Sequence, residues 1–178
     1  MLIARTPLGR AQHEPVQQPL EFDHRHHAGD DGIDCRYCHE GAWSGPVAGV
    51  PPIERCMGCH AQVWNDSPQL EALRDAWASK KPLVWNRVHR LADFAFFDHS
   101  AHVNHGIGCS TCHGRVDQMA EVEQVAPINM GWCLDCHRDP SGKVRPLDRV
   151  TEMGWSPHEG EGALPAVAPR TECATCHR

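Results

Sequence analysis

All ten cysteines of the chain fall in five copies of one pattern, CxxCH: Cys35/Cys38/His39, Cys56/Cys59/His60, Cys109/Cys112/His113, Cys133/Cys136/His137 and Cys173/Cys176/His177. This constrains the fold more than any apolar run in the chain. Two thiols at this spacing can add across the two vinyl groups of one haem while the adjacent histidine reaches the iron, which is c-type haem attachment. Zinc knuckles and redox dithiols also use CxxC, but neither calls for a histidine after every copy. The pattern therefore predicts five covalent haem c groups, with the ten cysteines as attachment points and His39, His60, His113, His137 and His177 as proximal iron ligands.

An ordinary apolar core looks thin for 178 residues, because Pro (14) and Gly (15) are frequent and the mean hydropathy is negative. One large macrocycle for about every 36 residues would replace it, since burying its faces removes the apolar surface that drives folding. The expected fold is mostly irregular with a few short α-helices, a multihaem cytochrome c fold organised around its haems.

The chain repeats itself. Phe22-Asp23-His24 with His27 precedes two motifs 21 residues apart, and Phe97-Asp98-His99 with His102 precedes two more, 24 apart. This reads as an internal duplication of a dihaem unit. The expected organisation is an extended N-terminal arm (1–21), a first dihaem unit (22–66), a helix and linker (67–96), a second dihaem unit (97–140), and a loop with the fifth haem site (141–178). Within the linker, Ser67 as N-cap and Pro68 at the first helical position open a helix with Leu70, Leu73, Ala76 and Trp77 on one face, ending at Lys80-Lys81-Pro82. Residues 83–89 alternate enough to be extended, 115–126 carry no clear pattern, and 139–169 read as a loop following the surface.

Axial ligation decides what such irons can do, because two strong-field imidazoles leave no position for a substrate. Beyond the motifs stand nine histidines: His13, His24, His26, His27, His89, His99, His102, His105 and His158. The FxHxxH spacing and the linker position select His24, His27, His89, His99 and His102 as the five distal ligands. Met130 is the one methionine kept as an alternative ligand, and the six tryptophans are expected to cover haem faces and edges. On this count His89→Ala is predicted to turn one haem high-spin.

The formal net charge of -6 excludes the haem propionates and argues against a nucleic-acid partner. Covalent haem attachment takes place after export, so the chain is expected on the periplasmic side of the cytoplasmic membrane. Residues 1–21 contain no apolar h-region and no membrane span, so an export signal or anchor is absent from the sequence as given.

The stretches WNRVHRL (85–91), HVNHGIGCSTCHGRVDQM (102–119) and MGWCLDCHRDP (130–140), with the two duplicated units, resemble the pentahaem cytochrome c subunit of bacterial alternative complex III, a quinol:electron-acceptor oxidoreductase, within the class III-like multihaem cytochromes. The resemblance implies a membrane complex whose iron–sulfur and integral-membrane quinol-oxidising subunits pass electrons to this chain. It implies a monohaem cytochrome c or an oxygen reductase as acceptor. The chain would then be an electron-transfer subunit, no enzyme by itself. The alternatives are a free periplasmic or filament-forming electron shuttle and, further off, a multihaem reductase with one five-coordinate iron.

Without haem the chain is predicted to have no stable fold, as in small domains that fold only around their metal. Far-UV circular dichroism of protein made without haem attachment checks this, and a cooperative melt would refute it.

Overall fold

The computed structural model describes residues 11–157 and 164–177, and most of the short α-helices in it are the CxxCH motifs themselves. In chain order the helices are α1 (Cys35–Cys38), α2 (Ile53–His60), α3 (Glu71–Ser79), α4 (His99–Val103), α5 (Cys109–His113), α6 (Met130–Arg138) and α7 (Cys173–Cys176). A helical turn brings side chains three apart onto one face, so each CxxC pair presents both thiols in one direction. The rest is mostly irregular, and no strand forms among the described residues beyond isolated bridges.

Local chemistry starts and stops these turns. The Asp34 carboxylate accepts from the Arg36 N–H at 2.8 Å to open α1, and Asn129 Oδ1 accepts from the Trp132 N–H at 3.0 Å to open α6. Helix α5 stops at Gly114, whose φ of +68° suits glycine, and a Cβ there would lie 2.8 Å from Val125 Cγ2.

Ser67 and Pro68 open the linker helix as the sequence suggests, through one 3₁₀ turn, Pro68–Leu70, that runs into α3. The helix ends one residue earlier than expected, because Lys80 takes a left-handed conformation (φ +56°) and its N–H closes the last turn on Ala76 and Trp77. Leu70, Leu73 and Ala76 are buried, but Trp77 is 45% exposed, so the buried stripe is narrower than expected. Leu20, Leu70 and Leu73 make the core cluster, with Ile53, Met57, Leu83 and Trp85 against it.

Two segments differ in character from the sequence reading. The described part of the arm is pinned along its length: the His13 N–H donates to the Gln124 carbonyl at 3.0 Å, Gln17 and Gln18 exchange hydrogen bonds with Asn86, and Leu20 is buried. These side-chain bonds also hold the 83–89 segment, in place of a strand ladder. The second difference is a correction. The described part of 139–169 is no simple surface loop, since Val144, Arg145 and Val150 are buried, Arg145 to 4% exposure. The Arg145 guanidinium donates to the Glu152 carbonyl (2.8 Å) and Ser110 Oγ (3.1 Å) and lies 4.7 Å over the Trp155 ring. A buried arginine so engaged ties this segment to α5, which hydropathy alone could not reveal.

Apolar burial is sparse. Among the described residues nine apolar ones are buried, and Leu73 and Val150 are the two fully enclosed. A globular chain of 19.8 kDa is expected to expose about 8600 Å²; this one exposes 11866 Å². Roughly a third more surface than a self-sufficient fold would show is left for something else to cover.

Gly108 lies where an added methyl would run into the Arg145 guanidinium. Gly108→Ala is therefore expected to displace Arg145 and cost about 1–3 kcal/mol, read as a lowered midpoint in thermal unfolding of the haem-loaded protein.

Candidate haem sites

The motif histidines share one device. The carbonyl oxygens of Gly49, Val63, Arg170 and Phe94 accept from Nδ1 of His39 (2.7 Å), His60 (3.1 Å), His137 (2.7 Å) and His177 (3.4 Å). A carbonyl only accepts, so Nδ1 carries the proton and the Nε2 lone pair is turned outward. His113 alone of the five has another imidazole at this position: its Nδ1 lies 3.1 Å from Nε2 of His89.

The two FDHxxH segments build a second device, twice. Phe22 stacks on His27 (ring centroids 4.4 Å) and meets His24 edge-on (4.7 Å); Phe97 stacks on His102 (4.6 Å) and meets His99 edge-on (4.8 Å). The carbonyl of the intervening aspartate accepts from Nδ1 of the second histidine in both halves, Asp23 to His27 at 2.9 Å and Asp98 to His102 at 2.7 Å. One half forms a π-helical turn, Arg25–Asp30, and the other the α-helix α4, yet the side chains end in matching places. The first histidines differ, because Pro46 O accepts from His99 Nδ1 at 2.8 Å while His24 Nδ1 is buried without a partner.

These segments face the motifs across a gap of constant width. Ring centroids are 6.1 Å apart for His27 and His60, 6.3 Å for His99 and His113, and 6.0 Å for His102 and His137. Two imidazoles bound to opposite sides of one metal ion at bonds of about 2 Å have ring centres about 6 Å apart. His24 lies within electrostatic reach of His39, and both line the same cavity. His89 is different, with its ring 4.2 Å from that of His113, too close for an iron between them. The ring contact of His177 is with Phe94, at 5.9 Å.

The gaps open into one continuous cavity of about 4180 Å³, lined by all ten cysteines. A pocket for a single drug-sized ligand holds ~300–1,000 Å³, so this space suits several large groups. The cysteines form no disulfide, and among the described residues no three metal-ligating side chains converge as they would around zinc. Donors that stand in facing twos, beside thiol pairs in a large apolar-walled space, fit haem.

Burial favours the neutral form of four of these imidazoles. It pushes His24 down to about 4, helped by His39, and His113 down to about 3, helped by His89; it also lowers His102 and His89. Neutral imidazoles are the form that binds metal. Burial raises the Cys112 thiol to about 12.

Successive cysteine pairs are close enough to influence one another. Cys38 feels Cys56, Cys35 and Cys109 feel each other, Cys112 feels Cys136 and Cys133, and Cys133 feels Cys176. The path in space is second motif, first, third, fourth, fifth.

Other candidates lie elsewhere. His26 stacks on Trp64 beside Asp30 and Asp31, His13 contacts Glu123, and His105 is tied to the Ala101 carbonyl on its own turn. Met130 is 65% exposed, and His158 falls outside the described residues. Trp43, Trp64, Trp85 and Trp132 line the cavity; Trp77 and Trp155 do not. The residues that sequence reasoning passed over are Phe22 and Phe97, the Asp23 and Asp98 carbonyls, and Arg145. The first two pairs had a signal, since F and D recur at the same offset in both units.

Comparison with known proteins agrees with this geometry. Residues 3–93 match the family described as class III cytochrome c, and residues 95–178 match cytochrome c7 and related cytochrome c. The chain belongs to the class III cytochrome c family. A similar protein is the menaquinone reductase multihaem cytochrome c subunit of Nitratidesulfovibrio vulgaris, 28% identical over 176 residues covering 91% of this chain and 77% of that one. This class III cytochrome is thus a multihaem electron-transfer protein with covalent haem c on its cysteine pairs.

Phe97→Leu keeps apolar bulk but removes two ring contacts, at about 0.5–1.5 kcal/mol each. Thermal unfolding of the haem-loaded protein is expected to show that loss, and a larger one for Phe97→Ala.

Proposed function

We propose that the chain carries five haems and relays electrons within a membrane-bound complex that exchanges them with quinone, on the periplasmic side of the cytoplasmic membrane. The observation that carries the relay is the set of histidine pairs at 6.0–6.3 Å opening on one cavity lined by all ten cysteines. In this reading the histidines that would hold the irons are His39 with His24, His60 with His27, His113 with His99, and His137 with His102. Haem iron supplies the one-electron redox change. The chain's residues fix where each group sits, exclude water around the central sites and set the donor strength of each imidazole.

The order of the cysteine pairs makes the second and fifth motifs the ends of the relay. Cys59 and Cys173, one at each end, are the exposed cysteines of the ten. Electrons enter at one end and leave at the other, with no bond-making between. The complex is supported by the similarity to a menaquinone reductase subunit and by the resemblance to the quinol-oxidising alternative complex III. Iron–sulfur and integral-membrane subunits are the proposed neighbours, with a monohaem cytochrome c or an oxygen reductase beyond them. None of the described helices is long and apolar enough to cross a membrane, so a neighbouring subunit or a segment outside the described residues would hold the chain there.

Two measurements test the reading. Pyridine haemochrome analysis with intact mass is expected to give five haems per chain, and fewer would break the relay. A haem-stained native gel of mildly solubilised membranes, with the band's subunits identified by mass spectrometry, is expected to place the chain in a large assembly with iron–sulfur and polytopic proteins. Migration alone in the soluble periplasmic fraction would favour the shuttle instead.

A further inference from the structure

His89 stands apart from every other histidine near the motifs. Its ring is 4.2 Å from that of His113 at an interplanar angle of 75°, with Nε2 facing Nδ1 of His113 at 3.1 Å. The opposite face of the His113 site is already taken, since His99 lies parallel to His113 at 6.3 Å. Nδ1 is the atom through which the other four motif histidines donate to backbone carbonyls.

The position of His89 is built rather than incidental. The next residue, Arg90, donates its N–H to Gln124 Oε1 at 2.9 Å, and Gln124 is itself 2% exposed and donates to the Ala126 carbonyl at 3.1 Å. The Arg87 side chain donates to the His89 carbonyl at 3.2 Å. A buried polar anchor on one side and a side-chain clamp on the other leave the imidazole one place to go.

We propose that His89 is a positioning residue, the acceptor that holds Nδ1–H of His113, rather than an iron ligand. This rests on the reading of His113 as the proximal ligand at the third motif. The chemistry follows from basicity. A neutral imidazole nitrogen is a stronger base than an amide carbonyl oxygen, so it draws harder on the shared proton and gives His113 more imidazolate character at Nε2. A stronger donor favours the ferric state, and outer-shell hydrogen bonding is one of the ways a protein sets a haem potential. The haem at the third motif, in the middle of the cysteine path, would therefore have a lower potential than its ligand set alone gives.

The test uses the haem-loaded full chain and compares wild type with His89→Ala, His89→Gln and His89→Glu by ferric electron paramagnetic resonance and potentiometric titration. In His89→Ala the number of low-spin haems is expected to equal that of wild type, while one potential rises and the others hold. Gln, whose Oε1 can accept the proton, restores part of the shift. Glu, a stronger acceptor, holds that potential below the Gln variant's. Should His89→Ala fail to mature, the Gln and Glu variants still decide, because loss of a ligand turns one haem high-spin in one or both, whereas loss or change of an acceptor moves a potential only. Conversion of one haem to high spin overturns the proposal and restores His89 as a distal ligand. Unchanged potentials in all variants overturn it as well. The haem count separates the two readings: fewer than five haems in wild type is a failure of the proposed relay, and five haems with unmoved potentials is a failure of this inference alone.

Discussion

An imidazole has two nitrogens, and a protein that wants one of them on a metal must occupy the other. The hydrogen bond from Nδ1 to a main-chain carbonyl does this at His27, His39, His60, His99, His102, His137 and His177. Each bond fixes the tautomer, the ring orientation and the outward direction of Nε2 at once. Because the acceptors are backbone atoms, the irregular loops are part of the site: Gly49 and Pro46 lie in the loop after the first motif, and Arg170 and Phe94 lie far in sequence from the rings they hold. The described residues are sparse in helix and form no strand beyond isolated bridges, and some of their backbone polar groups have this second use.

The duplication shows which parts of the arrangement the chemistry demands. Phe, the Asp carbonyl and the second histidine keep their relations in both units, although one unit winds as a π-turn and the other as an α-turn. The first histidine does not keep its partner. His99 reaches across to the Pro46 carbonyl of the other unit, and the Ser100 N–H donates to Gly45 at 3.2 Å beside it, so the second unit's ligand turn is seated on the first unit's loop. His24 has no counterpart to that contact and its Nδ1 is left buried without a protein partner. A duplicated pair that docks asymmetrically gives two similar sites different surroundings, and different surroundings are how like-ligated haems acquire unlike potentials.

What was legible in the sequence was whatever depended on short spacing. CxxCH marks five helical turns, FDHxxH marks two segments whose side chains build the same arrangement, and Ser67-Pro68 marks the start of the linker helix, since each signal is contained within a few residues. What was not legible depended on long-range placement. His89 has the residue type and linker position of a ligand, but its contact with His113 and the grip of Gln124 on the next residue, 34 positions away, lie beyond any local pattern. Arg145 looks like a solvated charge in a Pro- and Gly-rich stretch, and its burial follows from a gap left by Gly108 and a ring supplied by Trp155. Trp77 fits the helical stripe by periodicity, yet it stays 45% exposed while Leu70, Leu73 and Ala76 are buried.

Burial grades along the cysteine path in a way that suits a relay. The centre is deepest, where enclosure pushes His113 down to about 3 and Cys112 up to about 12 and where Cys35 and Cys109 influence each other. The ends are shallow, at Cys59 and Cys173. Charge is more costly where water is excluded, so a site in the middle resists changes of charge that a site at the rim tolerates. In the proposed relay this separates two tasks that conflict in a single exposed site: partners approach closely only at the rim, and the interior passes electrons without admitting them. With nine buried apolar residues among those described, the chain has little side-chain material from which to build such a gradient, so in the proposed relay the groups that carry the electrons also enclose each other.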